Sequence, residues 1–238
     1  MKNIKVAVFC YNFPHKKTQD ILLKLFLEEI KINCIFAAES IKLNIPPSTI
    51  HTKIKHFAVV HPKQIANRLG IKYYILPHDS IGVEELIKNN NIDLGIITGA
   101  RLLKPCIISK FSKGIINFHP GLIPESRGLD AMLWSIYKKI PLGVTAHLID
   151  ERIDAGRILI KEKIPIYKND TLLDLSERLY EKQLDILFPA IEKALNDRWT
   201  CIDIAKSSYN KKMPENIEKQ LPHILDEYLD IFAVEKIS

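Results

Sequence analysis

The stretch from Lys113 to Lys163, KGIINFHPGLIPESRGLDAMLWSIYKKIPLGVTAHLIDERIDAGRILIKEK, decides how the rest of the chain is read. Gly114 to Phe118 is an apolar run with strand character, and the chain is released from it at His119-Pro120-Gly121. Side chains two apart on a strand share a face, so Asn117 and His119 project together while Phe118 points into the opposite layer. The residue before a proline is held extended, which fixes the aim of His119 at the strand end. In open α/β sheets the carboxyl ends of the strands are where ligands bind.

A carboxylate is available from the next elements. Leu142 to Ile149 and Arg157 to Ile164 are rich in β-formers, and the Asp150-to-Gly156 segment between them is turn chemistry, so the three pieces read as a hairpin carrying Asp154. Folded back beside the His119 strand end, that hairpin brings Asp154 to the imidazole. An amide, an imidazole and a carboxylate at one point suit acyl-type transfer. The amide donates to a developing oxyanion, the imidazole handles a proton or supplies charge, and the carboxylate orients the imidazole. Asn117, His119 and Asp154 are therefore the candidate catalytic residues.

The ordered set Asn117-x-His119-Pro120-Gly121-Leu122-Ile123-Pro124, Arg127-Gly128, Gly143-Val144-Thr145-Ala146-His147 and Ile153-Asp154-Ala155-Gly156-Arg157-Ile158 resembles the formyltransferases that use 10-formyltetrahydrofolate. The likeness extends from about residue 73 to about residue 165. It implies an α/β, Rossmann-like, mostly parallel sheet with helices on both faces, the β-hairpin carrying the catalytic Asp, and a small C-terminal helical extension. It also implies N10-formyltetrahydrofolate as co-substrate, with Asn117, His119 and Asp154 as the catalytic set. The loop Gly99 to Pro105 would meet the pterin ring, giving Arg101, Leu102 and Leu103, together with Ile153, as cofactor-binding residues. A helix start with Leu102 and Leu103 in the core is the plainer alternative.

Within that superfamily, Arg127-Gly128 to Trp134-Ser135-Ile136 looks most like the sugar-nucleotide N-formyltransferases. The partners so implied are a nucleotide-linked amino sugar, with dTDP as its nucleotide and surface polysaccharide as its destination, and tetrahydrofolate. His78, Asp79, Arg127 and Gly128 are then the substrate-binding candidates. Each has another reading: His78 and Asp79 as a helix start capped by Asp79 or Ser80, and Arg127 as a solvated loop arginine. Trp134 reads as packing and His147 as a hydrogen-bonded structural histidine.

At 238 residues the chain can bury a substantial core, and we expect a catalytic domain over 1–195 followed by an extension over 196–238. The net charge of +6 is spread along the chain, which favours anionic ligands and gives little support for nucleic acid. Four cysteines, at 10, 34, 106 and 201, have no paired spacing, so neither a zinc site nor a disulfide framework is expected and a cytoplasmic setting is. No segment suggests a signal peptide or a membrane span. No metal is expected. The sugar formyltransferases are often dimers, so the resemblance points to a homodimer.

Along the chain, Ile4 to Cys10 reads as the first buried strand and Thr18 to Ile30 as a helix with Thr18 as N-cap. The turn between them, Tyr11 to Lys17, has no glycine. That disfavours both a dinucleotide pyrophosphate and the glycine-bearing phosphate loop of the glycinamide ribonucleotide transformylases. Strands are expected at Ile32 to Ala37, Lys55 to Val60 and Asp93 to Thr98, and helices at Gln64 to Leu69, Gly82 to Asn90 and Leu129 to Lys139. Leu172 to Leu195 reads as one long amphipathic helix that Pro189 should kink or end, and a final helix is expected near Glu215 to Ala233. Between them Ser207, Ser208, Tyr209, Lys211 and Lys212 either close over the acceptor's phosphates or form a solvated basic linker.

Too few residues follow the long helix for the C-terminal barrel of the methionyl-tRNA enzymes, and the chain opens directly on its first strand, unlike the formyltetrahydrofolate hydrolases. Two rivals stand beside the transferase: a non-catalytic nucleotide-sugar-binding module on the same fold, and a transferase acting on charged tRNA.

Overall fold

The computed structural model describes residues 4–41, 46–50, 52, 56–152, 154–204, 207 and 209–234. Five strands, β1 (Val6–Tyr11), β2 (Ile32–Ala38), β3 (Lys72–Ile75), β4 (Leu94–Ile97) and β5 (Ile115–His119), are joined by α1 (Lys16–Leu27), α2 (Pro62–Leu69), α3 (Ile81–Asn90) and α4 (Pro105–Ile108). These strands pair in parallel, and the hairpin of β7 (Gly143–Leu148) and β8 (Arg157–Lys163) is added antiparallel beside β5. The seven-stranded order is β3-β2-β1-β4-β5-β7-β8. Between β5 and β7 lie β6 (Arg127–Gly128) and α5 (Ala131–Tyr137). After β8 come α6 (Leu172–Asp185), α7 (Leu187–Leu195), β9 (Tyr209–Asn210), α8 (Glu215–Glu218) and α9 (Leu221–Phe232).

Period-two alternation in the strands sorts the core into two layers. Val6, Val8 and Cys10 of β1, with Ile116 and Phe118 of β5, face α1, α2, α5, α6, α7 and α9. Ala7 and Phe9 of β1, with Ile115 of β5, face α3 and α4 through Val83, Ile87 and Ile107. Helices therefore cover both faces, as the family resemblance implied. The strand order reverses between β1 and β4, so their carboxyl ends border the crevice where ligands bind such sheets.

Several boundaries differ from the sequence reading for local reasons. Thr18 is not the cap of α1. It is fully buried and its hydroxyl lies 2.9 Å from both His15 Nδ1 and Thr98 Oγ1, while the helix begins earlier, behind an extended His15. The strand expected at Lys55 to Val60 is not formed over residues 56–60; Lys55 lies outside the described residues. β3 already occupies the free edge of β2, and Phe57 is exposed. The long helix breaks into α6 and α7 at Ile186, because Pro189 has no N–H for the Asp185 carbonyl and its ring crowds that oxygen. The helix expected at Leu129 to Lys139 is only Ala131–Tyr137, and the final helix is split into α8 and α9.

The C-terminal segment shares the main core through Met213, Leu221, Leu225, Tyr228 and Leu229. It is also tied to the sequence after β5. β9 pairs in parallel with β6, Leu129 N–H donates to the Asn210 carbonyl at 2.9 Å, and Met213 N–H to Asp130 Oδ2 at 2.8 Å. Buried Glu218 accepts from Thr49 N–H and Thr49 Oγ1, each at 2.8 Å, and from Lys212 at 3.3 Å. Burial raises the Glu218 carboxyl, but these donors and the hydroxyl of Ser48 outweigh it and bring it to about 2. A carboxyl depressed on folding stabilises above its unfolded value of about 4.5, and that contribution is lost as pH falls towards 2. Glu218→Gln is therefore expected to lower the thermal midpoint at pH 7, with the gap to wild type closing between pH 4.5 and 2; a gap independent of pH would refute it.

Candidate active site

Antiparallel pairing of β5 with β7 sets His147 directly opposite Asn117 and Thr145 directly opposite His119. Asn117 Nδ2 donates to His147 Nε2 at 3.2 Å, leaving the second amide hydrogen for another acceptor. Asp154, in the hairpin turn with φ +44°, places Oδ1 3.7 Å from His147 Nε2 and Oδ2 3.6 Å from His119 Nδ1. The structure thus brings Asn117, His119 and Asp154 into one cluster and adds His147, which sequence reasoning had set aside as structural. The signal for it was Thr145 and His147, two apart on a strand that had to lie beside β5.

His119 is oriented differently from the expectation. Its Nε2–H donates to the Ser126 carbonyl at 2.7 Å, an acceptor that fixes the proton on that nitrogen and turns Nδ1 towards Asp154. Asp154 stands at ion-pair rather than hydrogen-bond distance, so the carbonyl and not the carboxylate aims the ring. A side chain at Gly121 would place its Cβ 2.8 Å from His119 Nε2 and 2.6 Å from the Ser126 oxygen, so only glycine leaves the ring its place. Thr145 holds the same turn, donating to the Gly121 carbonyl at 2.7 Å and accepting from Ile123 N–H at 3.1 Å. Gly128 N–H donates to Asp154 Oδ2 at 3.0 Å.

His147 is fully buried, and burial pushes its imidazole down to about 4, with the Asp154 charge opposing and His119 adding to the effect. It is therefore neutral at physiological pH and serves as the acceptor that holds the Asn117 amide. The unfolded chain protonates this histidine below about 6.5 while the folded chain does not, so stability falls as pH drops from 6.5 to about 4. The gap corresponds to about 3 kcal/mol. His147→Asn is expected to flatten that part of the unfolding-versus-pH curve, measured by urea melts; an unchanged slope would contradict it.

The other candidate residues are dispersed. His78 is not free for a ligand: it is buried and its Nε2–H is shared between the Cys10 and Phe36 carbonyls, each at 3.0 Å, tying β1 to β2. Asp79 pairs with Lys104 at 2.9 Å, and Ser80 rather than Asp79 caps α3. Arg127 is not a solvated loop arginine; it is buried and donates from Nη1 to Ser207 Oγ at 2.9 Å. Leu103 is in the core, whereas Leu102 is exposed beside Arg101 in a cleft of about 420 Å³ that also includes Pro77, His78 and Asp79. Ile153 and Ser208 lie outside the described residues. Trp134 packs on Tyr137 and donates to the Lys211 carbonyl at 2.8 Å.

A larger cavity, about 540 Å³, opens beside His119 and Gly128 and is walled by the start of α1, by α5 and by α6. Lys16 and Lys17 give it cationic groups, His15 and His56 imidazoles, and Leu129, Met132 and Leu133 apolar ones.

Residues 78–191, just under half of the chain, match the family described as formyl transferase. Among curated proteins, the chain is 36% identical over 107 residues to the trifunctional purine biosynthetic protein adenosine-3 of Chironomus tentans, covering 44% of this chain and 8% of that one. It is 29% identical over 134 residues to the phosphoribosylglycinamide formyltransferase of Haemophilus influenzae, covering 56% of this chain and 62% of that one. The chain thus spans only part of the relatives it matches. Among solved structures, a sugar N-formyltransferase from Shewanella superposes with a TM-score of 0.61 at 19% identity, covering 92% of this chain and 87% of that one. The phosphoribosylglycinamide formyltransferase of Anaplasma phagocytophilum gives 0.65 at 20% identity, covering 90% and 97%. Both share the fold described above.

Proposed function

We propose that the chain is an N-formyltransferase that moves the formyl group of N10-formyltetrahydrofolate to the primary amine of a nucleotide-linked amino deoxysugar, dTDP-linked, in surface polysaccharide biosynthesis. The observation that carries it is the convergence of Asn117, His119 and Asp154 at the carboxyl end of β5, beside a cavity with cationic walls. When bound, the folate supplies an activated formyl group, and apolar Leu76, Pro77 and Leu102 beside Arg101 suit a ring system with an anionic tail. As the acceptor nitrogen bonds to the formyl carbon the carbonyl oxygen gains charge, and that charge returns to the re-formed carbonyl when the bond to N10 breaks. The free Asn117 amide hydrogen donates to it, and His119, faced by Asp154, supplies positive charge. The acceptor amine gives up one proton and N10 takes one, through the His119–Asp154 pair. Four free cysteines suit a cytoplasmic enzyme, and among the described residues no helix is long and apolar enough to cross a membrane. A homodimer belongs to the same proposal.

A second acceptor, glycinamide ribonucleotide, is favoured by the curated relatives. Against it stands the turn after β1, where Tyr11 and Phe13 stack at 5.1 Å in place of a glycine-bearing loop. Formyl transfer from 10-formyltetrahydrofolate to a panel of dTDP-, UDP- and GDP-linked amino sugars and to glycinamide ribonucleotide separates the two. Turnover with an amino sugar alone is expected. Turnover with the ribonucleotide alone would replace the acceptor, and no turnover with any would overturn both acceptors.

A further inference from the structure

The short run from Ser126 to Gly128 holds both members of the His119–Asp154 pair: the Ser126 carbonyl accepts from His119 Nε2–H at 2.7 Å, and Gly128 N–H donates to Asp154 Oδ2 at 3.0 Å. What holds Ser126 is a set of buried hydrogen bonds. Its N–H donates to the Leu122 carbonyl at 2.7 Å, and its hydroxyl donates to the Ala131 carbonyl at 2.9 Å. Ser135, one turn further along α5, sets its own hydroxyl 2.8 Å from Ser126 Oγ and 2.7 Å from the same carbonyl. Ser126 is 0% and Ser135 1% exposed, so neither meets a substrate. Two hydroxyl hydrogens serve these contacts, so Ser135 donates to Ser126 while Ser126 donates to Ala131, and each hydroxyl fixes the other.

A neutral His119 ring has one proton and two acceptors for it, the Ser126 carbonyl at Nε2 and the Asp154 carboxylate at Nδ1. A hydrogen bond to a carboxylate is about twice as strong as one to a neutral carbonyl, so with both in reach the proton would go to Nδ1. Distance decides against it: the carbonyl is 2.7 Å away and the carboxylate 3.6 Å. The tautomer therefore depends on the Ser126 carbonyl staying where it is. With the proton on Nε2, the Nδ1 lone pair faces Asp154 and can take a proton from the acceptor amine. With the proton on Nδ1, that lone pair is gone and the other one points at a carbonyl oxygen.

We propose that Ser135 is a positioning residue for formyl transfer: through the Ser126 hydroxyl it pins the Ser126 carbonyl on His119 Nε2–H and so keeps Nδ1 open as the proton acceptor beside Asp154. The assignment deepens the transferase reading and rests on it for the reaction, but the tautomer itself does not. Thr145 braces the same ring from the other side, donating to the Gly121 carbonyl at 2.7 Å, so His119 is aimed by hydroxyls on α5 and on β7.

The test compares the full-length wild type with Ser135→Ala, Ser126→Ala and the double variant. Ser135→Ala leaves the Ser126 hydroxyl its bond to Ala131 and strands no donor, so the chain is expected to fold. Two-bond proton–nitrogen correlation NMR, at a pH where the histidines are neutral, reads the His119 tautomer, with its signals assigned by their loss in His119→Gln. Wild type is expected to show Nε2–H alone, and Ser135→Ala a mixture with Nδ1–H. With an accepted amine, kcat of Ser135→Ala is expected to fall by about 3-fold to 10-fold, the worth of one neutral hydrogen bond, at unchanged KM. If Ser135 acts through Ser126, the double variant loses no more in kcat than the larger single loss. A buried staple with no part in the reaction would lower the thermal midpoint while leaving the tautomer as in wild type, and that result overturns the proposal. Wild-type kcat in Ser135→Ala overturns it as well, and losses that multiply in the double variant overturn the route through Ser126. The tautomer is read without folate or acceptor, so it decides the hold on His119 even if transfer fails, and a negative result there leaves the transferase intact.

Discussion

Asn117→Ala is expected to lower kcat for formyl transfer by about 100-fold to 1000-fold, the usual cost of removing one oxyanion donor. The chain is expected to stay folded. Asn117 lies two residues before the end of β5, and its amide both touches His147 and has a hydrogen left to donate into the site. Asn117→Asp sharpens the test: it keeps the shape, cannot donate, and sets a carboxylate against the neutral imidazole of His147, so its loss should be at least as large. His119→Ala is expected to match Asn117→Ala in kcat and in addition to cost about 1–3 kcal/mol of stability, because the Ser126 carbonyl is left buried without its donor. The double variant should lose less than the product of the two single losses, as groups acting on one charge do. Full activity in both single variants would remove the assignment of either residue to the chemistry.

What could be read from the sequence follows the reach of each physical rule. Asn117 and His119 were legible as a pair because strand periodicity is local and needs no partner. Asp154 was legible as a hairpin residue, and the hairpin formed as expected. His147 was not, because its role depends on register: only the antiparallel match of Asn117 with His147 turns a strand histidine into the acceptor that holds an amide, and register is set by the turns at both ends and by a shift in β7 pairing between Ala146 and His147. His78, for which a ligand role and a helix start stood side by side, was just as dependent on distant partners. Its polar neighbours suggested a ligand, but whether the ring turns outward or under the sheet depends on the carbonyls of Cys10 and Phe36, far away in sequence. Helix ends shifted wherever a tertiary contact outranked propensity, as with Thr18, whose hydroxyl joins a buried threonine pair instead of a cap. Gly128 was read through a motif as a substrate contact; it lines the cavity beside His119, and its partners Asp154 and Asn210 come from two different later parts of the chain.

Gly128→Ala is therefore expected to damage catalysis through Asp154. The residue has φ +93°, where a side chain is strained in any setting, and a Cβ there would lie 2.3 Å from the Asn210 carbonyl oxygen and 2.9 Å from the Asn210 nitrogen. Both obstacles are backbone, so a short-range side-chain adjustment cannot relieve them; β6 and β9 must part. As β6 moves, its N–H leaves Asp154 Oδ2, the donor now at 3.0 Å. Losing a hydrogen bond to a charged group is worth about 1.5–3 kcal/mol, so kcat is expected to fall by about 10-fold to 100-fold, while the strain and overpacking cost stability by about 1–3 kcal/mol. The two effects are separable. If the kinetic loss runs through Asp154, then adding Gly128→Ala to Asp154→Asn should lower kcat little further, although it should still lower the thermal midpoint by its full amount. If Gly128 instead met the substrate directly, KM would rise and the losses in the double variant would multiply. Because β9 lies in the segment after the last sheet helix, that outcome would make the segment part of the catalytic apparatus, through the backbone of Asn210 that keeps Gly128 where Asp154 needs it.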